Sequence, residues 1–331
     1  MVDIEAVVKA NSDFARAQHC GYVCVFASAT AGIGLATLKR VATMVQLSIF
    51  FIVGPDTVES SRIAEGLKES GPSNSYVVVE AELSLMASVD AAVSHVTGSH
   101  SKVDIFCIAP KSAAQQGLEL TPEGLDTCFA ASYYGPLRMI SGLLPLLNRA
   151  VHPRVLCILN GGKEKPIDEQ DIGLEHKANR NMSSLVKHTT LFTSLAFGYL
   201  ASHDGQKHIR FLHACPGLVQ RISTRRPHSL MDFVPSRFKR FVVMSLAESG
   251  ERYAFMLTSK VCRPGSWRVG SRSDIIPDNA TLVRYQMEGW PSRVWILRRA
   301  FGTKCWQVDL LQHELHESGP ALSPANRPPS M

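Results

Sequence analysis

A chain of 331 residues, 45% hydrophobic and 19% charged, is too long for a disulfide miniprotein and too apolar for a disordered chain. It suits one large α/β domain or two small ones. The net charge of +6 is spread thinly, and the one basic stretch (Arg221, Arg225, Arg226, Arg237, Lys239, Arg240) reads as a solvated loop and helix face, so no nucleic-acid partner is expected.

Asp3 and Glu5 stand where a signal peptide needs positive charge, so a cytoplasmic protein is expected. Residues 21–27 (GYVCVFA) predict a buried strand, followed by a glycine-containing turn and a helix over 32–42. A second strand over 47–53 ends at Gly54-Pro55-Asp56, and a helix follows over 58–68. The apolar run 41–53 holds Thr43, Gln46 and Ser48 and is too short to span a bilayer, so no membrane is expected. Further strands are predicted over 75–79, 103–108, 154–159 and 209–214. Between them lie helices over 85–96, 122–149, with a break at Gly135-Pro136, and 182–201.

Strands without alternation, separated by helices, imply a parallel sheet covered on both faces. The expected fold class is α/β, a doubly wound, Rossmann-like parallel sheet in a single domain over 1–306, with a frayed tail over 307–331. Ligands in such sheets bind outside the carboxyl ends of the strands, here the loops after Ala27, Val53, Val79, Ile108, Leu159 and Ala214. Cys20, Cys24, Cys107, Cys128, Cys157, Cys215, Cys262 and Cys305 form no CxxC pair and no Cys/His ligand spacing, so reduced thiols and no metal are expected.

The first strand–turn–helix reads Cys24-Val25-Phe26-Ala27-Ser28-Ala29-Thr30-Ala31-Gly32-Ile33-Gly34. Glycine where the helix opens lets the backbone approach a pyrophosphate, which the free N–H groups of the first turn bind. Ser28, Thr30, Gly32, Ile33 and Gly34 are therefore the phosphate-binding candidates.

Residues 29–37 resemble the TGxxxGIG segment of short-chain dehydrogenases/reductases, as do the order of elements and the Pro216-Gly217-Leu218-Val219 turn. More narrowly, several segments are similar to a divergent group of fungal short-chain dehydrogenases linked to secondary-metabolite pathways. They include Glu123-Gly124-Leu125-Asp126, Tyr133-Tyr134, Gly161-Gly162-Lys163-Glu164 and Glu248-Ser249-Gly250-Glu251-Arg252. The resemblance covers about residues 15–302.

It implies a nicotinamide cofactor and a catalytic Asn-Ser-Tyr-Lys tetrad, and the chain departs at each member of that tetrad. Asn181 stands at the Tyr position, Leu185 at the Lys position, Asn160 at the Ser position and Ser132 at the Asn position. Asn181 has no phenol to tune toward neutrality, and Leu185 provides no cationic field. His188 shares a helix face with Asn181 and Leu185 and reads either as a substitute proton donor or as a satisfied structural histidine. Asn160, Asn181 and His188 are the catalytic candidates. Tyr133 and Tyr134 cannot both face a pocket, and packing is the expected role of each.

The resemblance implies NADP(H), whereas Asp56 at the end of the second strand leans toward NAD(H); both stay open. Glu82, where the family contacts adenine, reads as a cofactor contact or a solvated turn acid. The stretch 221–260, with Met231, Phe233, Phe238, Phe241 and Met244, corresponds to the family's substrate lid and implies a hydrophobic substrate or a second copy of the chain. The expected function is reduction of a carbonyl or imine of a hydrophobic secondary-metabolite intermediate. A non-redox cyclase or isomerase and a non-catalytic binding protein are the alternatives.

Overall fold

Short apolar segments build the sheet, and amphipathic segments between them build its two covers. The computed structural model describes residues 1–110, 119–174, 176, 178–219 and 243–300, the side chains of 297–300 excepted. After α1 (Ile4–Arg16) come β1 (Val23–Ala27), α2 (Gly32–Ala42), β2 (Ile49–Gly54), α3 (Thr57–Ser70), β3 (Ser75–Glu80), α4 (Met86–Ser99) and β4 (Ile105–Ile108). A short turn, α5 (Thr127–Phe129), runs through a π-helical turn (Ala130–Tyr134) into α6 (Gly135–Leu147). Next are β5 (Arg154–Ile158), α7 (Met182–Ser202), β6 (Arg210–Ala214), α8 (Leu246–Thr258), β7 (Gly265–Val269), β8 (Ile275–Ile276), α9 (Ala280–Met287) and α10 (Trp290–Ala300).

The sheet order is β3-β2-β1-β4-β5-β6-β7-β8. Every pairing is parallel except β7 with β8. Strand order reverses between β1 and β4, which opens a crevice above their carboxyl ends. One apolar core, with Val89, Leu143, Phe192, Leu195 and Tyr285, lies under α4, α6, α7, α9 and α10. The other, with Val7, Leu38, Ile63, Tyr253 and Leu257, lies under α1, α2, α3 and α8. Strands β1, β4 and β5 are buried throughout, which is why they carry no polar alternation.

The six strands read from the sequence are present as a doubly wound α/β sheet, and β7 and β8 extend it. The long helix is not broken at Gly135-Pro136. Its irregularity is the π turn one turn earlier, and α6 starts at Gly135 with Pro136 in its first turn and holds a second proline, Pro145, inside it. The physical reason lies in the Pro136 ring, which clashes with the carbonyl four residues back, a clash the wider π turn accommodates.

Within the stretch 221–260, the described part forms α8, seated against α2 and α1. A Cβ on Gly250 would stand 2.7 Å from the Ala36 carbonyl oxygen, so the α2–α8 crossing is close. Residues 221–242 and the tail 307–331 lie outside the described residues. No helix among the described residues is long and apolar enough to cross a membrane.

Candidate functional site

The loop between β1 and α2 has the shape of an anion cradle. Ser28, where the family resemblance has glycine, takes a left-handed backbone with φ 52°, and Gly32 does so with φ 58°. Serine pays for that conformation with of order 1 kcal/mol of strain that glycine avoids. A Cβ on Gly34 would come within 2.9 Å of the Ala29 Cα, so glycine lets α2 approach the end of β1. The N-cap residue of α2, Ala31, makes no side-chain cap, and the first turn carries no acid. Its N–H groups have no intrahelical acceptor, and the helix dipole adds positive potential there. Thr30 and Ile33 complete the loop, with the Thr30 methyl 3.3 Å from where a Gly54 Cβ would lie. An uncapped, acid-free helix start with an open glycine fits a dinucleotide pyrophosphate.

Asp56 after β2 and Glu82 after β3 are already engaged. Asp56 caps α3, its Oδ1 accepting the Glu59 N–H at 2.9 Å. Glu82 Oε1 accepts the Ser84 N–H at 3.1 Å and the Ser84 hydroxyl at 3.0 Å, which shapes the turn after β3. Arg40 lies in the last turn of α2, at the end far from the loop, and pairs with Glu251 of α8 at 2.8 Å.

Across the crevice, Asn160 and His213 are brought together. The Asn160 N–H donates to Nε2 of His213 at 3.4 Å. Nδ1 of His213 lies 2.7 Å from the Ser194 hydroxyl, which lies 2.6 Å from Glu164 Oε1. The Gly162 N–H also donates to Glu164 Oε1, at 2.9 Å. Burial, with the positive charge of Arg268 in second place, drives the His213 imidazole down to about 3. Sequence reasoning passed over Glu164, Ser194 and His213; the available signal was a lone histidine inside an otherwise apolar strand.

His188 and Asn181 occupy different surroundings. Asn181 is the exposed N-cap of α7, its Oδ1 accepting the Ser184 N–H at 3.0 Å. Leu185 is buried. His188 is buried between Phe129 and Phe192, with ring centroids 6.5 and 5.6 Å away. Its Nδ1 lies 2.7 Å from the Ser184 carbonyl oxygen, which only accepts, so Nδ1 carries the proton of the neutral ring. Burial pushes this imidazole below its ordinary value; the Ser184 and Asp168 carbonyls and the Asp171 and Asp168 charges oppose that shift without cancelling it. Nε2 is buried and makes no hydrogen bond of good geometry. No hydrogen bond joins His188 to Asn160. Tyr133 turns away to α10, donating its hydroxyl to the Val294 carbonyl at 3.0 Å, and Tyr134 packs edge-on against Phe129 at 4.8 Å.

The buried thiols of β1, β4 and β5 are poor nucleophiles. Burial raises Cys24 and Cys107 far above their ordinary range and pushes Cys157 up to about 12. Among the described residues no His/Cys/Asp/Glu group could hold a metal ion. A hollow of about 210 Å³ beside Leu144, Tyr199, His203 and Trp295 opens near Ile209, before β6, and contains none of the candidates.

No family model matches the chain. It is 31% identical over 291 residues to the NmrA-like family domain-containing oxidoreductase notO of Aspergillus sp. (strain MF297-2), covering 87% of this chain and 83% of that one. It is 29% identical over 324 residues to oxidoreductase lepF of Aspergillus flavus, covering 83% of this chain and 89% of the relative. Among solved structures, a Mycobacterium paratuberculosis protein superposes with a TM-score of 0.61 at 16% identity, covering 87% of this chain and 96% of its own. An L-sorbose reductase from Gluconobacter frateurii, complexed with NADPH and L-sorbose, superposes with a TM-score of 0.55 at 16% identity, covering 77% of this chain and 97% of its own.

Proposed function

The chain belongs to the fungal oxidoreductase family of notO, on the short-chain dehydrogenase/reductase fold, and from that premise we propose that it binds NADP(H), or alternatively NAD(H), and reduces a carbonyl or imine of a hydrophobic secondary-metabolite intermediate. The observation that carries this reading is the uncapped, acid-free start of α2, with Gly32 in the left-handed region. The first-turn N–H groups of α2 and the Ser28–Gly34 loop would hold its pyrophosphate. When bound, the nicotinamide supplies the hydride.

The protein's own residues then bind and orient. The Asn160 carboxamide, half-buried after β5, donates to the substrate oxygen and polarises it. His188, Phe129 and Phe192 pack against one another in the core beneath α7. The Nδ1–H of His188 is committed to the Ser184 carbonyl, so His188 supplies no proton to the substrate. Asn181 holds the first turn of α7. With no phenol at the tetrad position, the proton for the new alkoxide comes from water or from the substrate. Positioning supplies most of the acceleration that remains.

Asn181 as a helix cap and Leu185 in the core favour a second reading, a non-redox cyclase or isomerase that works by pocket shape. Titration of the full-length chain with NADPH and with NADH, followed by nicotinamide fluorescence and thermal stability, separates the two. Saturable binding of one cofactor is expected. Binding of neither contradicts the oxidoreductase reading.

A further inference from the structure

The hydrogen bonds around His213 close into a circuit whose directions are fixed at both ends. The Asn160 main-chain N–H can only donate, so Nε2 of His213 accepts and the proton of the neutral ring sits on Nδ1. That Nδ1–H donates to the Ser194 oxygen, so the Ser194 hydroxyl donates onward to Glu164 Oε1. The same Oε1 takes the Gly162 main-chain N–H, so the circuit starts and finishes on one turn, residues 160–162. Asn279, the N-cap of α9, steadies Glu164 from outside through Oε2 at 3.2 Å and the main-chain oxygen at 3.1 Å.

Three elements thus grip one turn: β6 through His213, α7 through Ser194, and the start of α9 through Asn279. Glu164 is 4% exposed, and Ser194 and His213 are 0% exposed. Sterics press the turn in place as well. A Cβ on Gly161 would stand 1.9 Å from the His213 carbonyl oxygen. Gly162 has φ 83°, and a Cβ there would meet Ile276 Cδ1 at 2.6 Å. The Asn160 carboxamide, half-buried at the carboxyl end of β5, takes no part in the circuit.

We propose that Glu164, Ser194 and His213 are positioning residues, a buried clamp that fixes the Asn160–Gly162 turn so that the Asn160 carboxamide meets the substrate oxygen. The proposal rests on the oxidoreductase reading for its substrate. The clamp itself does not depend on that reading. A clamp in one proton arrangement holds the turn rigid without an ion pair, which matters where a carboxamide must be aimed and not merely present.

The test uses the full-length chain, NADPH, and an aromatic diketone such as phenanthrenequinone as carbonyl probe. In Ser194→Ala, the NADPH Kd is expected to stay within about twofold, while kcat/KM for the diketone falls at least tenfold. Hydrogen exchange at the Asn160 and Gly162 amides is expected to accelerate at least tenfold, while the amides of α2 do not change. Unchanged protection at those two amides overturns the clamp. Lost protection with unchanged kinetics overturns the positioning role. A wild type that binds no NADPH refutes the oxidoreductase reading, and the exchange result then decides the clamp alone. If Ser194→Ala does not fold, nitrogen-15 shifts of His213 in the wild type still decide: a neutral ring protonated at Nδ1 is expected, and protonation at Nε2 overturns the circuit.

Discussion

Asp56 Oδ1 accepts the Glu59 N–H at 2.9 Å, so the acid nearest the expected ribose is also the N-cap of α3. Its two roles separate by substitution. Serine caps nearly as well as aspartate but carries no charge. Asp56→Ser is expected to cost less than about 1 kcal/mol in unfolding free energy. Loss of the carboxylate is expected to shift preference toward NADPH over NADH by about tenfold, because a 2′-phosphate no longer meets a like charge. Paired cofactor titrations on wild type and variant check this. An unchanged ratio places Asp56 outside the ribose site.

His213 and His188 contribute to the acid side of the stability curve. Both folded-state values lie below the ordinary imidazole value of 6.5, His213 at about 3. As pH falls below 6.5, the unfolded chain takes up protons that the folded chain refuses, so stability falls. The His213 contribution is complete above its unfolded value and declines between pH 6.5 and about 3. The slope is about 1.4 kcal/mol per pH unit for one such histidine. Urea unfolding across the range below neutrality is expected to show this decline, with a shallower slope in His213→Gln. An identical slope in the variant removes His213 from the account.

Tyr133 tests the division between packing and chemistry on the helix that faces the site. Its hydroxyl reaches the Val294 carbonyl of α10 at 3.0 Å, away from the crevice. Tyr133→Phe is expected to cost about 1 kcal/mol, the net worth of one buried hydrogen bond, and to leave turnover unchanged. A large loss of turnover at unchanged stability would place Tyr133 in the catalytic site instead.

Gly161 carries a steeper prediction. With the His213 carbonyl oxygen 1.9 Å from where a Cβ would lie, Gly161→Ala forces the turn off β6. Such overpacking against backbone costs about 3 kcal/mol or more. Thermal unfolding is the check. A melting temperature near wild type shows that the turn is less closely held than the geometry implies.

The sheet was legible because its strands are buried on both faces and read as unbroken apolar runs, β1 and β4 most plainly. β7, with Trp267 and Arg268 among small residues, is less apolar, and only its last two residues are fully buried, so it gave no such signal. The π turn escaped notice because a proline in sequence marks a disturbance without saying which turn absorbs it. The tight turn from β1 into α2 was legible from Gly32 and Gly34, whereas the left-handed conformation of Ser28 was not, since serine rarely adopts it. The clamp was least legible. Glu164, Ser194 and His213 are separated by 30 and 19 residues and meet only through tertiary packing. His188 was visible as a candidate, but its tautomer depends on the Ser184 carbonyl, which only the helix geometry supplies.

The central claim is that the bare start of α2 binds a dinucleotide phosphate, and Ala31→Asp tests it most directly. Ala31 is exposed, has extended backbone at the N-cap position and makes no cap. Aspartate there supplies the missing acceptor and a favourable charge for the helix, worth about 0.5–2 kcal/mol of stability. The same carboxylate occupies the N–H groups that the phosphate needs and repels it. The variant is therefore expected to melt higher than wild type and to bind NADPH at least tenfold more weakly. A variant that gains stability and binds NADPH as tightly as wild type would contradict the claim.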